Sequence, residues 1–482
     1  MSKFDYDVII LGSGPAGYSC AIQTSKFDRK ALVVEENEEY YGGTWINTGT
    51  VPSKALRIAA KTIYDFHRQY EDEESLKPYE RFEMDDLLQY KDRILQNQNQ
   101  KTKENLFKNK VETERGFGSI KDPHTVEIQK HNGSTVAYTA KYILISTGST
   151  PLKPDNFEID DDKVLDHKSI LEITHIPRRL TVVGSAVNAI EYATMFASLG
   201  TRVTILNPDS EMLSFLDAEI HEHVQEIFEK RGIHVYNQVK IKSVDYNPLR
   251  TSTEVRYHRE TEDELHVLET EHVLYFGGRT PNSRNIGLEN TEVKTNKKRV
   301  IQIDDNFQTA EPSIYASGDV VGFPSLASTS FSQGRQAACD MFGIPALDVP
   351  AKIPYGIYSI PEIAHIGLTR KEAEEKGKDV TVGRAYFKNN IMGEIGNKKE
   401  GLLKLVFQTD SFRLLGVHII GEQACELIHL GQSVMAYNGD IRYFIQNVMN
   451  NPTYSEAYRT AAFNGINRVY KAGVKYKSIL EG

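Results

Sequence analysis

Short apolar runs alternate with helix-like periodicity along most of the chain. The run YDVIILG (residues 6–12) is followed by GSGPAG, the helix-like AGYSCAIQTSK and a second apolar run, ALVVEE. Strand, glycine turn, helix and strand in that order predict a β-turn-α-β unit. The pattern returns at residue 180 with LTVVGSAVNAIEYATMFASLG, then TRVTILN. Two such units predict two dinucleotide sites. Between them, residues 55–110 read as mostly helical, broken by a charge run, EDEE (71–74), that predicts a solvated loop. Residues 111–150 alternate apolar and polar positions and end in YILISTGSTP. From about residue 350, IPYGIYSIPEIAHIGLT, LLKLVFQ and LLGVHIIG predict antiparallel strands, followed by two helical stretches.

The first glycine turn carries specific chemistry. Gly12 permits the tight turn, Gly14 lets a pyrophosphate approach the backbone, and Gly17 lets the helix pack on the strand. Phosphates then face the free N–H groups and positive end of the helix. Glu35 closes the second strand, placed to accept hydrogen bonds from an adenosine ribose. The second turn is altered. Gly184 is kept, but the middle and third positions are Ala186 and Ala189. Ala186 places a methyl where a pyrophosphate comes closest and gives up glycine's backbone freedom. The strand after it ends in Asn207, where an acid would favour NAD and a nearby arginine a 2′-phosphate. Arg202 starts that strand.

Composition narrows the class. The chain has 482 residues, 40% apolar and 26% charged, enough for several domains. A net charge of −9 argues against a nucleic-acid or anionic-membrane partner. No apolar run approaches the ~20 residues of a membrane helix. The N-terminus enters a strand almost at once, which predicts no signal peptide and a cytoplasmic protein. Cys20, Cys339 and Cys425 are widely spaced, so neither a disulfide framework nor a zinc site is expected, though one pair could meet in space.

The ordered motifs GSGPAG, GGTWINTGTVPSK, ISTGSTP, GGRTPN, IYASGD and PSLASTSFSQG resemble the flavin-dependent pyridine nucleotide–disulfide oxidoreductases over nearly the whole chain. GTVPSKALR, DVVGFPSLAS, IYSIPEI, VGRAYFK and NPTYSEAYRTAAFNGINR resemble the transhydrogenase branch of that family. The resemblance implies an α/β protein with two Rossmann-like FAD/NAD(P)-binding domains and a C-terminal α+β dimerisation domain. The expected boundaries are 1–150 (FAD), 151–271 (NAD(P)), 272–348 (return to the FAD and central part) and 349–482 (dimerisation). It implies FAD as cofactor, NAD(P)H as substrate and a homodimer or higher homo-oligomer. Residue by residue, Gly12, Gly14, Gly17 and Glu35 would hold the ADP half of FAD, and Gly43 and Thr44 would continue along it. Gly118 would lie near the adenine, and Thr147 and Gly148 would mark the crossing between domains. Asp319 would bind the ribityl chain, and the backbone at Leu326 and Ala327 would face the flavin's pyrimidine edge. Pro15, Ala16, Glu36, Gly42, Gly184, Ser185, Ala186, Asn207, Gly278, Arg279 and Gly318 complete the cofactor-binding set. Lys54 would sit beside flavin N5 at a helix start and pair with Glu191, these two forming the catalytic set.

The departures matter as much. The family's redox cysteines would occupy positions 45 and 50, which hold Trp45 and Thr50. Neither exchanges with a disulfide. Asn451 replaces a catalytic histidine ahead of Pro452, Thr453 and Glu456, and asparagine has no proton to shuttle near pH 7. His365 and His418 read as structural. Three functions stay open: a transhydrogenase passing hydride between NADPH and NAD⁺ through FAD; a diaphorase passing electrons to a quinone or oxygen, with Trp45 either stacked on the acceptor or filling the space beside the flavin; and a flavoprotein of weakened turnover that acts as a binding or structural partner. Asn207, being neutral, suits a site that admits both coenzymes.

Overall fold

The computed structural model describes residues 3–69, 83–260, 262, 264–346 and 352–471. The EDEE run and the expected boundary at 348/349 lie outside these residues. The strand Tyr6–Leu11 runs parallel between Ala31–Glu35 and Thr135–Ile145. Glu112–Arg115 and Ile314–Ala316 extend the parallel set, and Thr125–Gln129 and Phe117–Asp122 add an antiparallel arm. Helices Pro15–Lys26 and Ala327–Met341 cross closely, where a Cβ on Gly334 would lie 2.0 Å from the Ala16 carbonyl oxygen.

The second nucleotide unit is a five-stranded parallel sheet, ordered Ile233–Tyr236, Arg202–Leu206, Arg179–Val183, His272–Tyr275 and Val164–Leu165. Its central strand Arg179–Val183 is buried over its last four residues, since cover on both faces removes the need for alternation. An antiparallel insertion, Val239–Asn247, Ser252–Arg259 and His266–Thr270, is not distinguished by the sequence pattern. The expected return to the first unit at residue 272 is early. His272–Tyr275 still pairs within the second sheet, and the chain crosses back at Arg279–Pro281, which pairs with Ser149–Pro151.

The C-terminal part is a five-stranded antiparallel sheet, as expected, followed among the described residues by three helices rather than two: Ala424–Ala436, Arg442–Gln446 and Glu456–Lys471. Helix Thr50–Gln69 joins all three parts. Lys54, Arg57, Lys61 and Arg68 recur at helical spacing on one face. They reach Glu191, Glu362, Glu422 and Glu400 at 2.6, 3.0, 3.0 and 3.4 Å. A second tie is buried. Lys404 donates to both Asp217 oxygens (2.7 and 2.9 Å) and to Glu219 (2.6 Å), with only 2% of its side chain exposed.

His365 and His418 stack with rings 5° from parallel, on adjacent strands of the C-terminal sheet. Burial pushes His365 down to about 4, with His418 adding to the shift. Both are therefore neutral at pH 7, consistent with a packing role.

Two outcomes are expected. Lys404→Met strands the buried Asp217 carboxylate and should destabilise the protein by about 3–5 kcal/mol in urea unfolding. Because native His365 binds fewer protons than the unfolded chain between about pH 6.5 and 4, stability should fall as pH drops through that window. The slope is about 1.4 kcal/mol per pH unit for this group, and His365→Phe should flatten it.

Candidate functional site

One cleft of about 2100 Å³ runs between the two nucleotide units and reaches the C-terminal sheet. The first glycine turn forms one wall. Gly12 has φ +100°, and its N–H donates to the Val34 carbonyl at 2.9 Å. Gly17 is buried beneath the turn, where a Cβ would lie 2.0 Å from the Gly12 oxygen. Gly14, by contrast, has no protein atom within 4 Å of an added Cβ, so its open side faces the cleft. Pro15 and Ala16 open the helix there. Helix Pro15–Lys26 has no side-chain cap, nor do Val187–Ser198 and Ala327–Met341, which also begin at the cleft. Helix Ala218–Lys230, elsewhere, is capped by Asp217. First-turn N–H groups without a side-chain partner suit an anionic ligand.

Glu35 stands at the end of its strand. One carboxylate oxygen accepts from the Ser13 N–H at 3.0 Å and the Ser13 hydroxyl at 2.5 Å. Burial raises the Glu35 pKa, and the Ser13 hydrogen bonds oppose that rise. The Ser13 hydroxyl in turn accepts from the Gly42 N–H, at the head of the short helix Gly43–Asn47. Glu36, Gly43, Thr44 and Gly118 border the same end of the cleft. These features fit an adenine dinucleotide: an open glycine face, free amides and an acid held at ribose position. Further along, Thr147, Gly148 and Gly278 line the crossing strands. The Arg279 guanidinium donates to the Ser149 hydroxyl (2.7 Å) and carbonyl (2.6 Å), and that hydroxyl donates to Asp319 at 2.8 Å. Gly318, Leu326 and Ala327 complete this wall. Arg284, Lys297, Lys298 and Arg299 also border the cleft, concentrating positive charge there in an acidic chain.

Lys54 and Glu191 meet at 2.6 Å where the units join. The other Glu191 oxygen accepts from the Tyr358 N–H at 2.8 Å, and the Lys54 ammonium lies 4.9 Å from the Tyr358 ring centre. The helix carrying Lys54 starts earlier than expected, at Thr50, so Lys54 sits one turn inside it. Trp45 packs edge-on against Phe331 at 5.0 Å and 88°. Its ring also borders the cleft. Asn451 does not border the cleft of its own chain; its amide donates to Glu456 at 2.7 Å.

The three thiols are free and buried. Cys20 and Cys339 lie on the crossed helices Pro15–Lys26 and Ala327–Met341. Cys425 borders the cleft, but burial pushes its thiol well above the usual range. None is poised as a thiolate.

In the second unit, Gly184 has φ +128° and its N–H donates to the Leu206 carbonyl at 3.0 Å, repeating Gly12. Ser185 and Ala186 line the cleft. Ala186 has φ −66° and ψ 157°, close to the φ −63° and ψ 179° of Gly14. The backbone freedom of glycine is therefore not used at this position, and Ala186 carries no strain. At this position only the methyl distinguishes the two turns. Asn207 is corrected more strongly. It is fully buried, and its amide is spent on Asp209 and Asn237, so it does not face a coenzyme. Arg202 starts its strand, at the end away from the glycine turn.

Sequence reading missed Ser13, Ser149 and Tyr358. Ser13, between two glycines of the motif, had a local signal. Tyr358, 167 residues from Glu191, had none.

Residues 6–334 match a family model described as pyridine nucleotide-disulphide oxidoreductase, and residues 353–462 match the dimerisation domain of that family. A soluble pyridine nucleotide transhydrogenase of Marinomonas sp. (strain MWYL1) is 35% identical over 98% of this chain and 100% of its own. One from Pseudomonas aeruginosa (strain LESB58) is 34% identical over the same shares. Among solved structures, LpdA from Mycobacterium tuberculosis aligns with a TM-score of 0.86 at 21% identity, covering 95% of this chain and 98% of that one. The HOCl-induced flavoprotein disulfide reductase RclA from Escherichia coli aligns at 0.84 and 23%, covering 95% and 99%. Both show the same fold.

The two glycines should separate in experiment. Gly14→Ala meets no protein atom, so the protein should fold while flavin affinity falls by roughly 1–3 kcal/mol, or about 5–160-fold. Gly17→Ala should instead lower the melting temperature of the flavin-free protein. Calorimetry and flavin content of the purified variants read the two effects.

Proposed function

Because the chain belongs to the pyridine nucleotide–disulphide oxidoreductase family, we propose that it transfers hydride between nicotinamide coenzymes through FAD and uses no thiol. The carrying observation is the junction itself: Lys54 and Glu191 stand where the two nucleotide units meet, and no reactive thiol stands near them. The relatives' name, soluble pyridine nucleotide transhydrogenase, supports the same activity.

In this reading Gly12, Gly14, Ser13 and Glu35 would hold the ADP half of FAD, and Asp319 its ribityl chain. The positive end of the helix beginning at Ala327 would favour negative charge on the flavin. When bound, FAD accepts hydride from a reduced nicotinamide and gives it back to an oxidised one. The chain's share is positioning and charge. Lys54 presents a cation to the reacting region, which favours arrival of negative charge there. Glu191 fixes that cation, and Tyr358 fixes Glu191. The Ser185–Glu191 turn and helix admit the coenzyme, donor and acceptor in alternation. Trp45 and Thr50 would put no thiol beside the flavin, so no disulfide would be exchanged there. The diaphorase reading stands second, since it rests on Trp45 alone.

We further propose that the C-terminal part, which matches a dimerisation domain, makes a homodimer. Tyr437 and Val448 on its surface are 89% and 93% exposed. Among the described residues no helix is long and apolar enough to cross a membrane; a cytoplasmic location is part of this proposal.

Purified protein should bleach in stopped flow on mixing with a reduced nicotinamide coenzyme, and thio-NAD⁺ added under nitrogen should restore the oxidised spectrum. Reoxidation by quinone alone would move the assignment to a diaphorase. Failure to bleach with either coenzyme would sink both.

A further inference from the structure

Two histidines meet at the end of the second nucleotide unit away from the cleft. His272 opens the strand His272–Tyr275, level with Leu180 near the start of the neighbouring strand, whereas the glycine turn follows that strand's other end. His175 lies in the segment that leads into Arg179–Val183. Neither borders the cleft. Their Nε2 atoms are 3.3 Å apart. The His272 Nδ1 lies 2.8 Å from the Asp162 carbonyl oxygen. A carbonyl only accepts, so Nδ1 carries the proton. Burial lowers the His272 pKa, which keeps the ring neutral at pH 7. Its Nε2 therefore presents a bare lone pair to His175. His272 is only 4% exposed, while His175 reaches solvent.

We propose that this pair binds a divalent transition ion of the Zn²⁺, Ni²⁺ or Cu²⁺ class through both Nε2 atoms. Zn–N bonds of about 2.0–2.1 Å drawn from nitrogens 3.3 Å apart enclose about 104–111°, the tetrahedral range. Rings aimed at one such point would have centres about 5.2 Å apart, and rings joined head-on by a straight N–H···N bond about 5.6 Å. The observed separation is 5.1 Å. The bond from His272 Nδ1–H to a backbone carbonyl is also the arrangement that fixes a metal-binding imidazole in tautomer and direction. His175 joins by carrying its proton on Nδ1. Imidazole ligands select these ions over Mg²⁺ and Ca²⁺. The nearby Lys163 ammonium is paired with Asp162 at 3.3 Å, and Glu271 acts on His272 in the opposite sense. The other close histidine pair lacks this geometry. His365 and His418 stack with centres 6.1 Å apart, and the His418 Nε2 is spent on the Leu368 carbonyl. Among the described residues no group of three or more potential ligands gathers, so water completes the shell and the ion stays exchangeable. A bound ion would tie the segment entering the second sheet to the strand by which the chain leaves it.

The test is calorimetric titration of the full-length, flavin-loaded protein with zinc chloride after dialysis against a chelator. One ion per chain should bind, and magnesium chloride should not displace it. His175→Ala, at an exposed position, should weaken that site more than about tenfold while the metal-free protein melts as before. His272→Gln should weaken it as strongly, and His365→Phe should leave it unchanged. Saturating zinc should raise the melting temperature of the unaltered protein and leave its NAD⁺ affinity alone. Absence of zinc binding by the unaltered protein would overturn the inference. Equal binding after His175→Ala would do the same, because the pair would then be a hydrogen bond only. Displacement of the zinc by NAD⁺ would put the ion in the cleft and also contradict it. None of these readouts needs hydride transfer, so the metal site and the proposed activity stand or fall separately.

Discussion

The Glu191 carboxylate holds three separate parts of the chain in one place. It grows from the helix of the second nucleotide unit and is only 8% exposed. A buried carboxylate is costly unless its charge is met and its oxygens are bonded. One oxygen is met by Lys54, from the helix that follows the first unit, and the other by the Tyr358 N–H of the C-terminal sheet. Neither partner can move without stranding the charge. The cation at the junction is therefore placed by the whole fold, and the same helix fastens the C-terminal sheet again through Arg57, which donates to the Ser359 carbonyl and Glu362.

That constraint explains why loss of the thiol pair leaves a coherent site. In a disulfide reductase the flavin has a nucleotide side and a thiol side. Here positions 45 and 50 hold no thiol, and the three thiols present are buried. Ser185 and Ala186 of the second turn, the start of the uncapped helix after them and the Lys54–Glu191 pair border the same cleft. Asn451 fits the same logic, since without an interchange thiol there is no proton for a histidine to carry.

Much of this was legible in the sequence because it rests on local rules. Glycine spacing, apolar runs and the interval from Gly17 to Glu35 each encode a contact within one β-turn-α-β unit. The Lys54–Glu191 pair was legible only through family resemblance, since nothing local links residues 137 apart. Asn207 shows where local spacing misleads. The strand ends where expected, but an asparagine can hydrogen-bond its own loop backbone, and Asn207 spends its side chain there rather than in the cleft. The crossing back to the first unit was placed early because His272–Tyr275 is a buried apolar strand, and such strands carry no mark of the sheet they join. The Arg279–Ser149–Asp319 chain was invisible for the same reason as Tyr358: its members are brought together only by the tertiary fold.

The central claim is that electrons entering this protein stop on the flavin and leave from it. Anaerobic reductive titration, followed across the visible spectrum, tests it most directly. The account predicts complete bleaching after a single hydride equivalent per flavin, with no long-wavelength thiolate–flavin band on the way. Uptake of a second equivalent, or appearance of that band, would reveal a second redox group and contradict it.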